Sequence, residues 1–350
     1  MAEKKNEGLH PAGWSPLGPD QFLELAKTFP IIDVRAPKEF RQGHIPGAVN
    51  IPLFDDEERA VVGTTYAKTG KEEAFLKGLG IAGSKLEDFV KEAQRIATNG
   101  ELLVHCWRGG MRSAAMAWLF SFSGIKTSVL EGGYRAYRHY IRNSISHGPS
   151  VIVIGGMTGS GKTELLHHLS DSGEQVLDLE GLANHKGSAF GALGQADQPT
   201  NEQFENDLAG KWLTFDCKLP VWVEDESRNI GKVIIPEPIF TKMANSPVVF
   251  IEVPFEERVK QLVKEYGSFN TQDLVSLIEK IRKRIGGEAA NSAIQSMHNG
   301  NLENAISIVL NYYDKTYQYG LSKREESKIR TISFAEFHRG FAELRRELDI

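Results

Sequence analysis

Short apolar runs alternate with amphipathic segments over the first part of the chain. The runs IIDV (31–34), LLVH (102–105) and SVLEGG (128–133) have the length and composition of buried strands. Between and after them, KLEDFVKEAQRIA (85–97) and SAAMAWLFSF (113–122) carry apolar residues at helical spacing, and turn-rich segments fill the rest of the interval. Strands that alternate with helices are typical of a parallel sheet covered by helices, so this pattern predicts an α/β domain.

A second α/β pattern begins with the apolar run VIVIGG (151–156). A helix is predicted from Lys162, and the later runs VLDL, VWVED and VVFIEV are predicted to be further strands. From about Phe255 onward the strand signals end and the pattern is helical, most clearly in SFAEFHRGFAELRREL (333–348). No fixed-period repeat relates the two halves, which are therefore predicted to be different modules.

The length of the chain and its linker signals define the predicted domains. A chain of 350 residues exceeds what one compact core usually supports. The stretch NSISHGPS is polar and ends in Gly-Pro, as linkers often do. The predicted order is an N-terminal tail (1–19), an α/β domain (20–143), a linker (144–150), a second α/β domain (151–254) and a helical C-terminal region (255–350).

Composition excludes several classes of protein. Apolar residues make up 41% and charged residues 25%, as in ordinary globular proteins. The chain starts without an apolar signal segment and has no apolar run of membrane-spanning length, so a cytoplasmic protein without a membrane partner is predicted. Its two cysteines are too few for a disulfide scaffold or a cysteine-rich zinc site. Cys217 lies in the helical-looking KWLTFDCKL and is predicted to be buried by packing.

The net charge of −5 gives no overall sign of a nucleic-acid-binding protein. Basic residues do cluster locally, in YRAYRHYIR (134–142), KIRKR (280–284) and SKREESKIR (322–330). Such runs are solvated helix faces more often than RNA-binding sites. Charge alone therefore leaves both interpretations open.

The stretch HCWRGGMRS (105–113) places Cys106 between a predicted strand and a predicted helix. Backbone N–H groups and the positive end of the helix dipole favour a thiolate at such a position, and Arg108 and Arg112 add positive charge. Cys106 is therefore predicted to be a nucleophile that faces an anion site. The alternative, a cysteine packed as a small apolar residue, gives no reason for the RGGMR that follows. The spacing also fits the phosphatase signature C-x5-R-[ST], so the loop alone does not decide between phosphate and sulfur transfer.

A second anion-binding loop is predicted in GMTGSGKT (156–163), which fits G-x-x-x-x-G-K-[ST] between a strand and a helix. In this motif, backbone N–H groups surround phosphate oxygens, the lysine reaches the terminal phosphates, and the threonine hydroxyl can hold Mg²⁺. The predicted diphosphate-binding residues are Gly156, Thr158, Gly159, Ser160, Gly161, Lys162 and Thr163.

Two further segments are candidates for the same site. In VWVEDES, Asp225 is the preferred metal-supporting carboxylate and Glu224 its rival, although carboxylates at a strand end are as often ordinary caps. No metal ligand is assigned with certainty. In HKGSAFG, His185, Lys186 and Ser188 fit either a phosphate or RNA-backbone contact or a plain mobile loop.

The stretch IIDVRAPKEFRQGHIPGAVNIP (31–52) resembles the N-terminal signature of the rhodanese family, and LEGGYRAYR (130–138) resembles its second signature. With Cys106 the resemblance covers about 120 residues and implies a rhodanese-like fold. It implies structural roles for Asp33, Arg35, Glu39 and His44, which would hold the turn and the strand end. The loop from Cys106 to Arg112 is one residue longer than is usual in sulfurtransferases of that fold. A longer loop would suit a tetrahedral oxyanion larger than a persulfide.

Taken together, HCWRGGMRS, GGMTGSGKTELL, LANHKGSAFG and EDESRNIG resemble the tRNA 2-selenouridine synthase family over nearly the whole chain. The implied fold is α/β, with a rhodanese-like domain followed by a P-loop α/β domain and a helical C-terminal region. The resemblance implies a transferase that acts on tRNA with 2-thiouridine at the wobble position. It would first S-geranylate the base with geranyl diphosphate and then exchange the geranylthio group for selenium from selenophosphate.

This resemblance also assigns roles. The phosphate loop would stabilise departing diphosphate without ATP hydrolysis, with Mg²⁺ as a possible addition and no tightly bound cofactor. Cys106 would accept selenium as a selenosulfide or assist its delivery to carbon 2 of the base. The expected contacts to tRNA phosphates are Arg135, Arg138, Arg142 and the C-terminal basic clusters.

Two other classes remain open. A phosphatase or kinase-like regulator could be built from the same two loops, and it would release phosphate from aryl phosphates in a reaction that depends on Cys106. A non-catalytic RNA-binding protein would use both loops only as anion sites. Its affinity for tRNA would not change on Cys106→Ser or Lys162→Ala, and no modified nucleoside would form.

Overall fold

The computed structural model describes residues 13–333. Within this range the chain forms two compact units, one that ends at Ser144 and one that starts at Ile145. No helix in residues 13–333 combines the length and the hydropathy needed to cross a bilayer.

The first unit is built on a five-stranded parallel sheet with the strand order β1-β5-β4-β2-β3. Its strands are β1 (Ser15–Leu17), β2 (Ile31–Asp33), β3 (Val49–Asn50), β4 (Glu101–His105) and β5 (Lys126–Leu130). Its helices are α1 (Pro19–Leu25), α2 (Pro37–Gln42), α3 (Asp56–Thr69), α4 (Lys71–Gly83), α5 (Leu86–Ile96), α6 (Met111–Phe122) and α7 (Gly133–Ser144). The predicted parallel sheet covered by helices is confirmed.

Two parts of this unit differ from the sequence-based expectation. The predicted N-terminal tail contains β1, which pairs with β5 at the edge of the sheet, and it also contains the first residue of α1. The three residues of β1 carry no apolar run, because an edge strand is only partly covered. The segment predicted as turn-rich contains α2, α3 and α4, and α3 begins with a capping box in which Asp55 accepts from the N–H of Glu58.

The second unit is built on a parallel sheet with the strand order β12-β11-β6-β8-β7. Its strands are β6 (Val151–Gly156), β7 (Gln175–Leu177), β8 (Val221–Glu224), β11 (Val248–Glu252) and β12 (Ile329–Ser333), and β9 (Asn229–Ile230) and β10 (Val233–Ile234) form a separate hairpin. Its helices are α8 (Lys162–Asp171), α9 (Leu179–Ala183), α10 (Asn201–Trp212), α11 (Glu237–Asn245), α12 (Phe255–Tyr266), α13 (Thr271–Ile285), α14 (Gly287–His298) and α15 (Leu302–Leu321).

One expectation for this unit is confirmed, one is wrong, and one falls outside the described residues. The helical region after Phe255 is confirmed by α12 to α15, and β12 adds to it an edge strand of which only Ile332 is buried. Cys217 is exposed rather than buried. It lies beyond the end of α10, between Asp216 and Lys218 in a polar turn. Most of the amphipathic segment 333–348 lies outside the described residues.

The two sheets place the predicted loops at comparable positions. In each unit a central, buried parallel strand ends directly before the loop, β4 before Cys106 and β6 before Met157. Helices α12 to α15 enclose an apolar core of their own within the second unit, formed in part by Leu262, Ile278 and Val309. This helical core packs beside the phosphate loop, because Leu262 lies close to Gly159.

Candidate functional site

The cysteine loop (residues 106–112) connects β4 to the start of α6. Cys106 is 3% exposed, and its Sγ lies 3.3 Å from the hydroxyl oxygen of Ser113 in the first turn of α6. The N–H groups of Trp107, Arg108, Gly109 and Gly110 donate no hydrogen bond to any described residue. Unpaired N–H groups ahead of a helix form an anion-binding concavity, and a hydroxyl beside sulfur can stabilise a thiolate.

The second rhodanese-like signature holds this loop in place. The N–H of Tyr134 donates to the carbonyl of Cys106 at 2.8 Å, and the N–H of Arg135 donates to that of Trp107 at 3.0 Å. Gly109 has φ +64°, and a Cβ atom there would lie 2.9 Å from the backbone nitrogen of Gly132. The close approach of the two backbones explains why glycines occur on both sides of the contact.

The two arginines of the loop have different surroundings. Arg112 forms an ion pair with Glu39 of α2, with its Nη1 2.7 Å from Oε2. Burial opposes ionisation of Glu39, but the hydrogen bond and charge of Arg112 outweigh it and lower the pKa of this carboxyl group. Arg108 is exposed. An anion beside Cys106 would therefore compete with Glu39 for Arg112.

A buried network supports the strand ends below the loop. Arg35 donates to Asp33, with Nη2 2.6 Å from Oδ2, and both side chains are almost fully buried. The guanidinium carbon of Arg35 lies 3.9 Å from the ring centre of Tyr134. His44 bonds the carbonyl of Phe40 through Nδ1 at 3.0 Å. The contacts of Asp33, Arg35 and His44 agree with their predicted structural roles. Glu39 also holds the turn, because it accepts from the N–H of Ala36 at 3.0 Å, and it pairs in addition with Arg112 of the cysteine loop.

His105 lies inside this network. We expect it to make the stability of the first unit sensitive to acid. Burial lowers its pKa to about 4, and the opposing charge of Asp33, 3.7 Å from Nε2, does not offset this. Because the pKa of His105 is lowered, the folded state binds fewer protons than the unfolded state. The contribution of neutral His105 to the free energy of unfolding is therefore fully present above about pH 6.5, and it is lost as the pH falls towards 4. We expect a loss of up to about 3 kcal/mol.

Urea denaturation of the full chain at neutral pH and near pH 4.5 measures this loss. His105→Gln should flatten the dependence, whereas His139→Gln, at an exposed histidine of the same unit, should not. An equal acid slope in wild type and His105→Gln would contradict the assignment.

The phosphate loop (residues 156–163) connects β6 to α8. Gly159 and Gly161 have φ of +81° and +82°, conformations that favour glycine. The N–H groups of Thr158, Gly159 and Gly161 have no acceptor within residues 13–333. Lys162 folds back over the loop, with Nζ 2.9 Å from the carbonyl oxygen of Gly156. The loop thus combines N–H groups with a lysine cation, as phosphate binding requires.

Side chains of α12 and α15 support the backbone of the phosphate loop. Arg258 is 3% exposed and donates through Nη1 to the carbonyl oxygen of Thr158 at 3.2 Å. The same guanidinium makes a bidentate pair with Asp314, at 2.8 and 2.7 Å. Neither residue carries a motif that sequence reasoning could have detected, because they lie 100 and 156 residues beyond Thr158 along the chain.

The two candidate carboxylates at the end of β8 differ in their partners. Asp225 accepts from the hydroxyl of Tyr317 at 2.8 Å and from Nη2 of Arg324 at 2.6 Å. The Tyr317 hydroxyl in turn accepts from the N–H of Gly156 at 3.0 Å. Asp225 therefore links α15 to the first residue of the phosphate loop. Sequence reasoning missed Tyr317, and it placed Arg324 only in the basic cluster 322–330, which was expected to meet tRNA, rather than beside Asp225.

Glu224 points into a group of carboxylates beside the loop. It accepts from the N–H of Glu180 at 2.7 Å, and burial raises its pKa to about 8, with a further contribution from Asp178. Thr163 donates its hydroxyl to Glu180 at 3.1 Å. Burial raises the pKa of Glu180, and burial together with the charge of Glu180 raises that of Glu226 well above its usual range. Lys162 opposes both shifts, so these acids lie within its field.

The HKGSAFG segment is a loop whose backbone and side chains contact other parts of the same site. The N–H of Lys186 donates to the carbonyl of Gly191 at 2.9 Å, and its ammonium pairs with Glu265. The N–H of Ala189 donates to the hydroxyl of Tyr313 at 3.0 Å, next to Ser188. His185 is 8% exposed, and its Nδ1 has no partner in the described part of the chain. Burial lowers the pKa of His185.

These segments line one cleft of about 1650 Å³ within the second unit. Its walls include the phosphate loop, residues 185–189 and Asp225, with aromatic side chains from α12 and α15 such as Tyr266 and Tyr317. The cleft has room for a substrate much larger than a diphosphate. The basic residues of its lining are Lys162, Lys186, Lys260, Lys264, Arg284, Lys323 and Arg324.

The structure separates the three arginines of α7 that were expected to meet tRNA. Arg135 and Arg142 are exposed, whereas Arg138 is 7% exposed and its side chain already takes part in an interaction. Arg138 is therefore not available to a phosphate at the surface. Apolar spacing explains this difference, because Arg138 lies on the face of α7 that also buries Tyr134 and Ile141.

Both units match known protein families. Residues 18–140 match the model of the rhodanese-like domain, and residues 149–344 match that of the tRNA 2-selenouridine synthase AAA domain. A crystal structure of a rhodanese-related protein from Thermoplasma volcanium covers 36% of this chain and 91% of its own at 22% identity, with a TM-score of 0.25.

Three relatives carry the name tRNA 2-selenouridine synthase. The protein from Proteus mirabilis is 35% identical over 91% of this chain and 96% of its own length. The protein from Psychromonas ingrahamii is 35% identical over 87% of this chain and 91% of its own length. The protein from Nitrosomonas europaea is 41% identical over 70% of this chain, and the match spans 65% of that protein.

Proposed function

Because the chain belongs to the tRNA 2-selenouridine synthase family, we propose that it is a cytoplasmic transferase that converts 2-thiouridine at the wobble position of tRNA to 2-selenouridine. The conversion has two steps, S-geranylation with geranyl diphosphate and selenation with selenophosphate. One observation carries this proposal. A single chain contains a thiol in one anion-binding loop and a lysine in another, and both loops have N–H groups without acceptors among the described residues.

In the first step, the sulfur of 2-thiouridine bonds to the allylic carbon of geranyl diphosphate while the carbon–oxygen bond breaks. The electron pair leaves on the diphosphate, and the base loses its proton from nitrogen 3. Charge therefore accumulates on the diphosphate oxygens in the transition state. The N–H groups of the phosphate loop and the ammonium of Lys162 stabilise this charge. Arg258 and Tyr317 keep the loop in the required conformation through Thr158 and Gly156.

In the second step, selenium of selenophosphate bonds to carbon 2 of the base, and the geranylthio group leaves and takes up a proton. The phosphoryl group remains on selenium. The thiolate of Cys106 then attacks phosphorus, the selenium–phosphorus bond breaks with its electron pair on selenium, and water later releases phosphate from sulfur. The free N–H groups of the cysteine loop bind the phosphoryl oxygens.

Electron balance favours this role of Cys106 over a selenosulfide. Selenium in selenophosphate is fully reduced, so a sulfur–selenium bond would require a two-electron oxidant that neither proposed substrate supplies. Phosphoryl transfer leaves the oxidation state of selenium unchanged. It also agrees with the C-x5-R-[ST] spacing and with the Ser113 hydroxyl 3.3 Å from Sγ, where a thiolate forms again when phosphate leaves.

A Mg²⁺ ion that accompanies the diphosphate fits the hydroxyl of Thr163 and the nearby carboxylate of Glu180, which lie 3.1 Å apart. Such an ion would neutralise charge on the leaving group. Within residues 13–333, no group of three or more histidine, cysteine, aspartate or glutamate side chains is arranged as a metal site. The diphosphate would therefore have to complete the coordination. Asp225 is held by Tyr317 and Arg324 instead.

The decisive experiment supplies purified protein with 2-thiouridine tRNA, geranyl diphosphate and selenophosphate, followed by nucleoside mass spectrometry. We expect S-geranyl-2-thiouridine with the prenyl donor alone and 2-selenouridine with both donors. An unchanged wobble base would refute the proposal. Release of phosphate from an aryl phosphate without any change in tRNA would instead support a phosphatase.

A further inference from the structure

An apolar cavity (the prenyl cavity below) lies directly beside the phosphate loop. Its walls come from the cores of α12 to α15 and include Leu274, Ile278, Met297 and Ala305. Three loop residues, Thr158 of the phosphate loop and Ser188 and Phe190 of the HKGSAFG segment, complete its lining. An apolar space in a helical core therefore borders two segments of the anion-binding site.

The cavity adjoins the large cleft. Thr158, Ser188, Leu262, Tyr266 and Tyr313 line both spaces. These residues therefore form the wall at which the apolar interior meets the polar cleft beside the phosphate loop. The polar groups of this shared wall are paired within the protein, because Tyr266 bonds to Ser188 and Tyr313 accepts from the N–H of Ala189.

We propose that this cavity binds the branched hydrocarbon end of an allylic diphosphate whose diphosphate lies in the phosphate loop, and that its depth sets the chain length of the donor. The inference rests on the proposed function of the phosphate loop. A nucleotide base is a poorer occupant, because the inner walls offer aliphatic carbon and no hydrogen-bond partners for its ring nitrogens. Apolar cavities in proteins stay dry and accept apolar ligands.

The cavity has room for the end of the donor's hydrocarbon chain but not for the whole of it. It has about 30 Å³ of space, which accommodates roughly two or three methyl-sized groups. The remaining carbons would lie along Leu262, Tyr266 and Tyr313 in the wall shared with the cleft. Arg258 fixes this geometry, because it joins Thr158 to Asp314 of α15. The phosphate loop is thereby tied to α15, which forms part of the cavity wall.

The test changes the depth of the cavity and measures the choice of donor. Ala305 is 1% exposed and lines the cavity, so Ala305→Leu should fill it. Each methylene that loses its apolar surroundings lowers affinity about fourfold, so three lost groups predict a decrease of about 50-fold in kcat/KM for geranyl diphosphate. Dimethylallyl diphosphate, which has five carbons instead of ten, should lose less, so the ratio of geranyl to dimethylallyl transfer should fall. Leu302→Ala should widen the cavity and admit farnesyl diphosphate.

Two controls separate this effect from loss of folding. Inhibition by inorganic pyrophosphate should be equal in wild type and both variants, since the phosphate loop is unchanged. Ala293→Leu overpacks the same helical core at a buried alanine outside the cavity lining, and it should lower thermal stability without changing the ratio of geranyl to dimethylallyl transfer.

The outcomes distinguish this inference from the function on which it rests. If wild type transfers geranyl and both cavity variants keep its chain-length preference, the cavity assignment is wrong and the proposed function stands. If ATP displaces geranyl diphosphate from wild type but not from Ala305→Leu, the cavity binds a nucleotide base and the assignment is also wrong. If wild type transfers no prenyl group, the proposed function itself fails.

Discussion

Lys162→Ala should reduce S-geranylation of 2-thiouridine tRNA by about 10²- to 10³-fold. The ammonium of Lys162 lies within the phosphate loop, 2.9 Å from the carbonyl oxygen of Gly156, and it is proposed to face the diphosphate as charge accumulates there. Removal of one preorganised electrostatic contact to a developing anion costs this much in other enzymes. The measurement is single-turnover formation of S-geranyl-2-thiouridine at saturating donor, followed by nucleoside mass spectrometry.

The effect should be specific for the first step. Lys162→Ala should still convert tRNA that already carries S-geranyl-2-thiouridine into selenouridine tRNA, because that step uses the cysteine loop. Lys218→Ala provides the matched control, since Lys218 is exposed in the same unit and does not line the cleft. Normal geranylation by Lys162→Ala would show that the phosphate loop does not handle the leaving group.

The sequence predicted the central strands well, because those strands are buried on both faces. IIDV, LLVH and VIVI read as apolar runs, and all three occur as inner parallel strands. The edge strands β1, β3 and β12 were missed, since a strand with one neighbour needs little apolar surface, whereas the edge strand β7 was predicted because VLDL is apolar. Cys217 was misplaced for a related reason. The apolar residues Trp212 and Leu213 suggested that the helix continues, but α10 ends at Trp212.

The site was predictable only where its residues are local in sequence. Backbone loops such as 106–112 and 156–163 are encoded by glycines and neighbouring side chains, so their motifs are visible. Arg258, Asp314, Tyr317 and Arg324 act on the phosphate loop over long sequence distances, and Asp225 and Arg324 are separated by 99 residues. Only the packing of α12 and α15 brings them together. The ion pair between Arg112 and Glu39 likewise joins two motifs that were each recognised but not connected.

These long-range contacts change the interpretation of the carboxylates. At a strand end, Asp225 matched the position of a metal-supporting residue, yet its two oxygens accept from Tyr317 and Arg324. The hydroxyl of Thr163 meets Glu180 of α9 instead. The acidic residues near the phosphate loop are thus of two kinds. Asp225 is neutralised by its ion pair with Arg324, whereas Glu180, Glu224 and Glu226 form a group with raised pKa values. A bound diphosphate would meet less repulsion than the number of acidic residues suggests, because raised pKa values keep part of this group neutral.

Cys106→Ser should abolish formation of 2-selenouridine while S-geranylation continues at the wild-type rate. Serine retains the size of the side chain and the contact to Ser113 but is a far weaker nucleophile towards phosphorus, so we expect a loss of at least about 10³-fold in the second step. The geranylated base or its selenophosphoryl derivative should accumulate. Cys217→Ser, at the exposed cysteine of the other unit, is the matched control and should behave as wild type. Acid-quenched wild type should carry one phosphoryl group on Cys106 during turnover, and selenouridine formation by Cys106→Ser at the wild-type rate would disprove the role of the thiolate.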